Sequence, residues 1–291
     1  MPAPRGLESG HVDQILWLSD LSENAARCEH AVRWFATLAT TAGDEPAEVL
    51  VAHALGADAG EPPSLEDSRR AEAMAHLAGL AGDLDCVGIH AHPVVVRGRP
   101  WDVARTLVDE HEVDLVIVGR TGVTGMDRVL LGSTARRVMR ELQVPILVVH
   151  DAEFTAPRRI VCPVDPTSAS MAAASDSGIR LAAALGRASG AQVTFVSVAL
   201  ATGFVPEDRD EVGRALDAKV ATVLGQRAEG LTHSTRVIIA QDVAEGVKEA
   251  AHKADLLVLG SAGRTGLARL VLGSVAEDLV AHCPVNTLVA H

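Results

Sequence analysis

Short apolar runs alternate with longer stretches of helical periodicity along the whole chain. The runs are rich in Val, Ile and Leu, and they fall at residues 15–20, 49–54, 90–96, 111–118, 145–149, 160–165, 193–198, 237–240, 252–259 and 284–290. Continuous apolar runs between segments of 3.6-residue periodicity are typical of parallel strands that helices cover on both faces. The pattern therefore predicts an α/β fold with parallel strands in each half of the chain.

The second half of the chain repeats the first. Residues 119–134 read GRTGVTGMDRVLLGST and residues 260–275 read GSAGRTGLARLVLGSV, identical at eight of sixteen positions without a gap. Each copy follows an apolar run entered through His-x-x-Asp and leads to an apolar run that contains Pro. Such a repeat indicates two copies of one structural unit. We predict two tandem five-stranded parallel α/β sandwich domains, residues 1–150 and 151–291, with a linker over residues 151–159.

Composition narrows the range of functions. The 291 residues are 48% hydrophobic and 22% charged, which excludes disorder as the main state. A net charge of −12 and only 2% aromatic residues argue against nucleic acid as a partner. No stretch resembles a signal peptide or a membrane helix, so we expect a cytoplasmic protein without a membrane partner. The four cysteines form no C-x-x-C pair and are expected to be buried thiols.

The repeated glycines follow the predicted fourth strand of each half. Ligands of open parallel sheets bind beyond the carboxyl ends of the strands, where the strand order reverses. At Gly119 and Gly122 a missing side chain would allow positive φ and a close approach of backbone N–H groups to a ligand. After Gly132, Ser133 would cap a helix whose N-terminus suits a phosphate. The second half repeats the arrangement at Gly260, Gly263, Gly273 and Ser274.

These features also have a purely structural explanation. Glycines after strands and serines at helix starts are ordinary turn and cap chemistry, and a duplication preserves their spacing whether or not a ligand binds. Asp20 and Asp165, each at the end of the first strand of its half, would either cap the next helix or accept hydrogen bonds from a ligand. The residues alone leave both alternatives open.

The spacing Gly-x2-Gly-x9-Gly-Ser, present in both halves, resembles the nucleotide-binding signature of universal stress proteins. The resemblance covers nearly the whole chain, and the Val-Ala-His-Ala end of the second run and the Gly98-Arg99-Pro100 turn support it. It implies a Rossmann-like sheet of strand order 3-2-1-4-5 that holds ATP, with or without Mg²⁺, at the first and fourth strands. Family members with this signature usually bind ATP, and those without it usually do not.

The resemblance also implies ligand contacts at individual positions. The adenine and ribose end of ATP would be contacted by Asp20 and by the backbone at Ala54. The ribose and the phosphates would be held by Gly119, Arg120, Gly122, Gly132, Ser133 and Thr134. The matching positions of the second half are Asp165, Val198, Gly260, Gly263, Gly273, Ser274 and Val275.

The second half departs from the pattern after its third strand. Gln241-Asp242-Val243 replaces the Gly-x-Pro turn, which introduces a carboxylate and removes the tight turn. We therefore expect the first site to bind ATP more tightly than the second. The resemblance further implies that the fifth strands, residues 146–149 and 285–289, join the halves into a pseudo-dimer, and it leaves homodimer formation open.

Signatures of other chemistry are sparse. His90 and His92 share one face of a predicted strand, but the sequence places no acidic or thiol ligand nearby, so an ordinary strand edge is favoured over a metal site. The chain has no Gly-Lys-Ser/Thr loop, His-Glu-x-x-His or Gly-x-Ser-x-Gly, which leaves at most slow ATP hydrolysis. The leading interpretation is an ATP-binding regulator of a stress response whose protein partner the sequence does not name. The alternatives are a nucleotide-free interaction module of the same fold and a slow ATPase.

Overall fold

The computed structural model describes residues 6–7, 12–38, 46–56, 62–120, 131–150, 154–201, 208–261 and 273–290. The chain divides into two compact units, a first unit spanning His11–Phe154 and a second unit that comprises Met1–Gly10 and Thr155–His291. Within the described ranges, no helix combines the length and the apolar character that a membrane crossing requires.

The first unit is an open parallel sheet with helices between its strands. Its described strands are β1 (Gln14–Leu18), β2 (Glu48–Leu55), β3 (Ala91–Arg97), β4 (Leu115–Gly119) and β5 (Ile146–Val149). Its described helices are α1 (Glu23–Ala26), α2 (Glu29–Thr37), α3 (Pro63–Asp85), α4 (Pro100–His111) and α5 (Ser133–Glu141). Neighbouring strands are parallel in the order β3-β2-β1-β4-β5, which confirms the predicted order 3-2-1-4-5.

The second unit repeats this architecture. Its described strands are β6 (Arg159–Pro163), β7 (Gln192–Leu200), β8 (His233–Ala240), β9 (Leu256–Gly260) and β10 (Asn286–Ala290). Its described helices are α6 (Ala172–Ser189), α7 (Arg209–Leu224), α8 (Val243–Ala251) and α9 (Ser274–His282), with 3-10 turns at Ala169–Met171 and Gly225–Ala228. The parallel order is β8-β7-β6-β9-β10, again 3-2-1-4-5 when counted from the first strand of the unit.

Burial explains why the apolar runs are continuous. Ile15, Leu16 and Trp17 of β1 are fully buried, because helices cover both faces of a central parallel strand. The edge strand β8 differs, since its residues 233–236 are polar and exposed. The apolar run therefore predicts only residues 237–240 of this strand, while the strand begins at His233.

The aspartate of each His-x-x-Asp segment ties two strands together. Asp114 Oδ2 accepts the backbone N–H groups of residues 13 and 14 at 2.8 and 3.1 Å, which links the start of β4 to β1. Asp255 Oδ2 accepts the N–H groups of residues 158 and 159, both at 2.9 Å, and links β9 to β6 in the same way. The repeated aspartate therefore has a structural role at the amino-terminal ends of these strands, opposite the ends that the glycine motifs follow.

The cysteines behave as predicted with one exception. Cys28, Cys162 and Cys283 are buried, whereas Cys86 is exposed, so the expectation of four buried thiols is wrong at this position. Cys86 follows two residues after Leu84, the last buried position of α3, and helical geometry turns it away from the buried face. Burial raises the pKa of the Cys28 thiol to about 12, and the nearby charge of Asp20 adds to the effect.

Candidate functional site

The first unit contains a cavity at the carboxyl ends of β1, β2 and β4, the first cavity. Its volume is about 230 Å³. Every predicted site residue of the first half that the structure describes lines it: Asp20, Ala54, Gly119, Arg120, Gly132, Ser133 and Thr134. Gly122 lies outside the described residues. Positions far apart in the chain therefore meet at one place because these strands end side by side.

The second unit contains the corresponding second cavity, which is larger. Its volume is about 700 Å³, and it lies at the ends of β6, β7 and β9 beside the starts of α7, α8 and α9. Every described site residue predicted for the second half lines it: Asp165, Val198, Gly260, Gly273, Ser274 and Val275. Gly263 lies outside the described residues.

The N-terminus of α9 supplies hydrogen-bond donors to the second cavity. Gly273 is the N-cap, and the first helical bond runs from the Glu277 N–H to the Gly273 carbonyl at 2.9 Å. The N–H groups of Ser274, Val275 and Ala276 therefore have no acceptor within the helix, and all three residues line the cavity. Together with the helix dipole, they form an arrangement suited to an anion.

The start of α5 has the same geometry in the first cavity. Gly132 is the N-cap, Ser133 is the first helical residue, and Arg136 N–H donates to the Gly132 carbonyl at 3.0 Å. The prediction that Ser133 caps this helix is wrong, because Gly132 occupies the N-cap position and Ser133 is the first residue of the helix. Among the described residues no side chain therefore takes the place of an anion at this helix start.

Different structural constraints favour glycine at the different positions of the repeated motif. Gly119 and Gly260 are not among the described glycines with positive φ, so the expected backbone conformation is wrong at both. At Gly260 the cause is packing, because a Cβ would lie 1.7 Å from the carbonyl oxygen of Ala174 in α6. At Gly273 a Cβ would meet nothing within 4 Å, and φ is −62°. Packing within the described residues thus explains Gly260 and leaves Gly273 to be explained by the cavity.

The two aspartates shape the turn after the first strand of each unit. Asp20 Oδ1 accepts hydrogen bonds from the backbone N–H and the hydroxyl of Ser22, at 3.1 and 2.5 Å, and Ser22 in turn caps α1. Asp165 Oδ1 accepts the N–H groups of Thr167 and Ser168 at 3.1 and 2.9 Å. Both carboxylates also line their cavities, so the turn role and a ligand role are compatible.

The cavities differ in charge as well as in size. The first is lined by Asp20 and by Arg120, whose side chain is buried and whose backbone N–H donates to the Val149 carbonyl at 2.8 Å. Among its described lining residues, the second carries the carboxylates of Asp165, Asp208 and Glu211. Two units of one fold therefore present different electrostatic environments.

The departure at Gln241-Asp242-Val243 has a structural explanation. Asp242 caps α8, because its Oδ1 accepts the N–H groups of Ala244 and Glu245 at 2.8 and 3.2 Å. In the first unit Gly98 has a φ of +150° and precedes the proline that starts α4. The carboxylate therefore forms part of a helix start, and the larger cavity remains open beside it. The sequence favours tighter binding at the first site, whereas the cavity volumes favour the second, and we expect the ranking by volume to hold.

Several lining residues escaped the sequence analysis. They are His53 in the first cavity and Ser175, Ser197, Asp208 and Glu211 in the second. Placing the two halves in register at their second strands would have found His53 and Ser197. Asp208 and Glu211 carry no pattern that would have revealed them, since they depend on where α7 begins.

The histidine pair lies at the edge strand β3 of the first unit, where His90 precedes the strand and His92 belongs to it. Across the part of the chain that the structure describes, no group of three His, Cys, Asp or Glu side chains is placed to hold a metal ion. His90 and His92 are both exposed at the start of the edge strand β3.

Strand order and cavity position define the class: a doubly wound α/β protein whose candidate ligand site lies where the strand order reverses. The model of the universal stress protein family matches residues 13–150 and 157–291, and the chain belongs to that family.

Individual relatives agree with this assignment. A universal stress protein of Mycolicibacterium smegmatis is 32% identical over 206 residues, 66% of this chain and 67% of that protein. One from Mycobacterium tuberculosis is 29% identical over 209 residues, 68% of this chain and 69% of its own length. The crystal structure of a universal stress protein from Archaeoglobus fulgidus is similar in fold, with a TM-score of 0.73 at 19% identity over 97% of both chains.

Proposed function

We propose that the chain is a cytosolic adenine-nucleotide-binding regulator. ATP would occupy the cavities at the glycine motifs, and its presence would change a surface that a protein partner recognises in a stress response. The association of the two halves and homodimer formation stay predictions.

The main support for the proposal is the lining and the volume of the second cavity. All six described residues that the resemblance assigns to the ligand line this one space of about 700 Å³. Sites that enclose small organic ligands usually measure about 300–1,000 Å³. Valine and leucine side chains supply apolar walls for a base, and the N-terminus of α9 supplies donors for phosphates.

The charge of this cavity favours ATP in its Mg²⁺ complex. Asp165, Asp208 and Glu211 would repel a free polyphosphate, because like charges at short range disfavour each other. Mg²⁺ keeps several waters and binds through substrate phosphates and one or two carboxylates, so it needs no preformed protein cage. Removal of Mg²⁺ should weaken binding at this site.

Calorimetric titration of the nucleotide-stripped protein with Mg-ATP tests the proposal. Gly273→Val should abolish binding at the second cavity without unfolding the unit, because a side chain at this position meets open space and the backbone is extended. Gly56→Val is the matched control, since Gly56 also has open space and lines neither cavity. Binding lost in the first variant and kept in the second supports the proposed site.

Two other results would redirect the assignment. No binding in the micromolar range, with or without Mg²⁺, would reject a nucleotide regulator and favour the interaction module. Steady phosphate release at ordinary enzyme rates would favour an ATPase. The three tryptophans, Trp17, Trp34 and Trp101, all lie in the first unit, so a fluorescence change on titration reports on that unit.

A further inference from the structure

Ser175 is a buried side chain that holds the backbone of a predicted ligand residue. Its hydroxyl accepts the Asp165 N–H at 3.2 Å and donates to the Asp165 carbonyl at 3.0 Å. A serine hydroxyl has one donor and two acceptor positions, so one side chain engages both polar backbone groups of this residue. Ser175 is 5% exposed, and it lines the second cavity.

This pairing is unusual for a helical serine. Serines inside helices commonly donate to a carbonyl in the preceding turn. In α6, Ser189 does so to Leu185 at 2.7 Å, and Ser177 donates to Ala174 at 3.1 Å. Ser175 instead reaches out of its helix to the turn after β6, so its hydroxyl links two elements at the cavity.

The neighbouring residue of α6 contacts the other side of the cavity. The carbonyl of Ala174 lies so close to Gly260 that a Cβ on Gly260 would be 1.7 Å from it. The first turn of α6 therefore contacts both Asp165 and Gly260, two positions that line the cavity. One helical turn therefore contacts two cavity positions that follow or end neighbouring strands of the sheet.

The turn at Asp165 is then fixed from two directions. The carboxylate Oδ1 accepts the N–H groups of Thr167 and Ser168, and the backbone is held by Ser175. A ligand contact fixed before binding costs less ordering on association than a mobile one. Loss of the serine hydroxyl would leave the Asp165 carbonyl and N–H without this partner and free the carboxylate to shift.

We propose that Ser175 is a positioning residue of the second cavity, which fixes Asp165 at the place where an adenine nucleotide contacts it. This role rests on the nucleotide site proposed above. Ser175 acts through Asp165 and takes no part in the contacts of the phosphates with α9.

Titration of the full chain with Mg-ATP tests the role. Ser175→Ala should weaken binding at the second cavity about tenfold, as expected when a preorganised contact worth about one hydrogen-bond pair is lost. Ser177→Ala is the matched control, because Ser177 lies in the same helix, is 6% exposed and bonds only within it. Its affinity should equal that of the wild type.

A double-mutant cycle separates positioning from a general loss of packing. Asp165→Asn keeps an acceptor for the turn but removes the charge, and Ser175→Ala added to it should weaken binding no further. Circular dichroism confirms that each variant is folded at the titration temperature. If Ser175→Ala does not fold, Ser175→Cys, of similar size and weak hydrogen bonding, is expected to show the same weakening.

The remaining outcomes are distinct. Wild-type affinity in Ser175→Ala and Ser175→Cys, equal weakening in Ser177→Ala, or full additivity with Asp165→Asn would each overturn the positioning role while the nucleotide site stands. A wild-type chain that does not bind Mg-ATP would remove the proposed function itself, and the positioning role with it.

Discussion

At Gly260 the backbone of β9 lies directly against the first turn of α6. A methyl group at this position would stand 1.7 Å from the Ala174 carbonyl oxygen, and Gly178 of the same helix is also close, since its Cβ would lie 3.1 Å from the Gly260 nitrogen. Two backbones can approach this closely only when no side chain stands between them. Gly260, which lines the second cavity, is thus also a packing residue.

Gly260→Ala should destabilise the second unit by about 3 kcal/mol or more, because the clash is with backbone that cannot rotate away. Gly213→Ala is the control: it lies in α7, where a Cβ would be 3.6 Å from Val237, an ordinary contact. Because alanine has a higher helix propensity than glycine, Gly213→Ala should stabilise the unit by up to about 1 kcal/mol. Urea unfolding gives both values, and equal stabilities for the two variants would contradict the packing explanation.

Asp255 makes the stability of the second unit depend on pH. Burial alone would raise the pKa of its carboxyl, but hydrogen bonds from the backbone of Arg158 and from Arg159 outweigh burial and hold the pKa below its usual range. A group with a lowered folded pKa stabilises the protein above its unfolded pKa. That contribution is lost as the pH falls through the folded value.

Asp255→Asn should therefore be less stable than the wild type at pH 7, by about 1–3 kcal/mol. The difference should shrink as the pH falls below about 4, the ordinary range of an aspartate. Unfolding by urea at a series of pH values measures it, with exposed Glu229→Gln as a control that should differ little from the wild type. A gap that stays constant down to pH 2 would exclude the carboxylate as its cause.

At the scale of the elements, α4 and α8 are corresponding helices of the two units that begin in different ways. In the first unit a proline begins α4 without a side-chain cap, whereas in the second Asp242 caps α8 through two backbone N–H groups. Proline suits a first helical turn because its fixed φ is already helical, and aspartate suits the N-cap because it accepts hydrogen bonds. The two sequences therefore solve the same structural problem.

Asp242→Ala should lower the unfolding free energy of the second unit by about 1 kcal/mol, the usual value of an N-cap. Asp242→Asn should cost much less, because asparagine also accepts from the helix N–H groups. Thermal melting of both variants gives the comparison. Since the side chain serves the helix start, neither should change the affinity for Mg-ATP, and a large loss of affinity in Asp242→Asn would assign the carboxylate to the ligand instead.

The positions of the strands and helices were largely predictable from the sequence. The structural roles of individual residues were not. Apolar runs located each described strand, because buried parallel strands have no polar face. They missed the exposed start of β8, and the runs at 111–118 and 252–259 began four residues before β4 and β9. The glycine repeat located every described cavity position assigned to it. The packing role of Gly260 and the reach of Ser175 to Asp165 depend on how α6 crosses the sheet, which no local pattern encodes.

At the scale of the whole molecule, the two cavities predict unequal responses to nucleotide. A ligand that binds only the folded state stabilises it by about 2.7 kcal/mol at a hundredfold excess over its Kd. The second cavity is about 700 Å³ against about 230 Å³ in the first. Mg-ATP should therefore slow amide hydrogen exchange mainly in peptides of the second unit.

Exchange followed by mass spectrometry checks this prediction. Peptides from residues 160–200 and 273–290 should gain protection with Mg-ATP, while those from residues 12–38 should change less. Gly273→Val should remove the gain. Equal protection in both units would mean that the smaller volume of the first cavity does not limit its ligand.

Helix α6 makes contacts near both of its ends, at the second cavity and at the Gly225–Ala228 turn. Its 18 residues form a rod of about 27 Å. At one end, Ala174 packs closely against Gly260 and Ser175 forms hydrogen bonds with the backbone of Asp165. At the other end, Arg187 donates to the carbonyl of Arg227 at 2.6 Å. Hydrogen bonds near both ends therefore tie α6 to Asp165 at the cavity and to Arg227 in the Gly225–Ala228 turn.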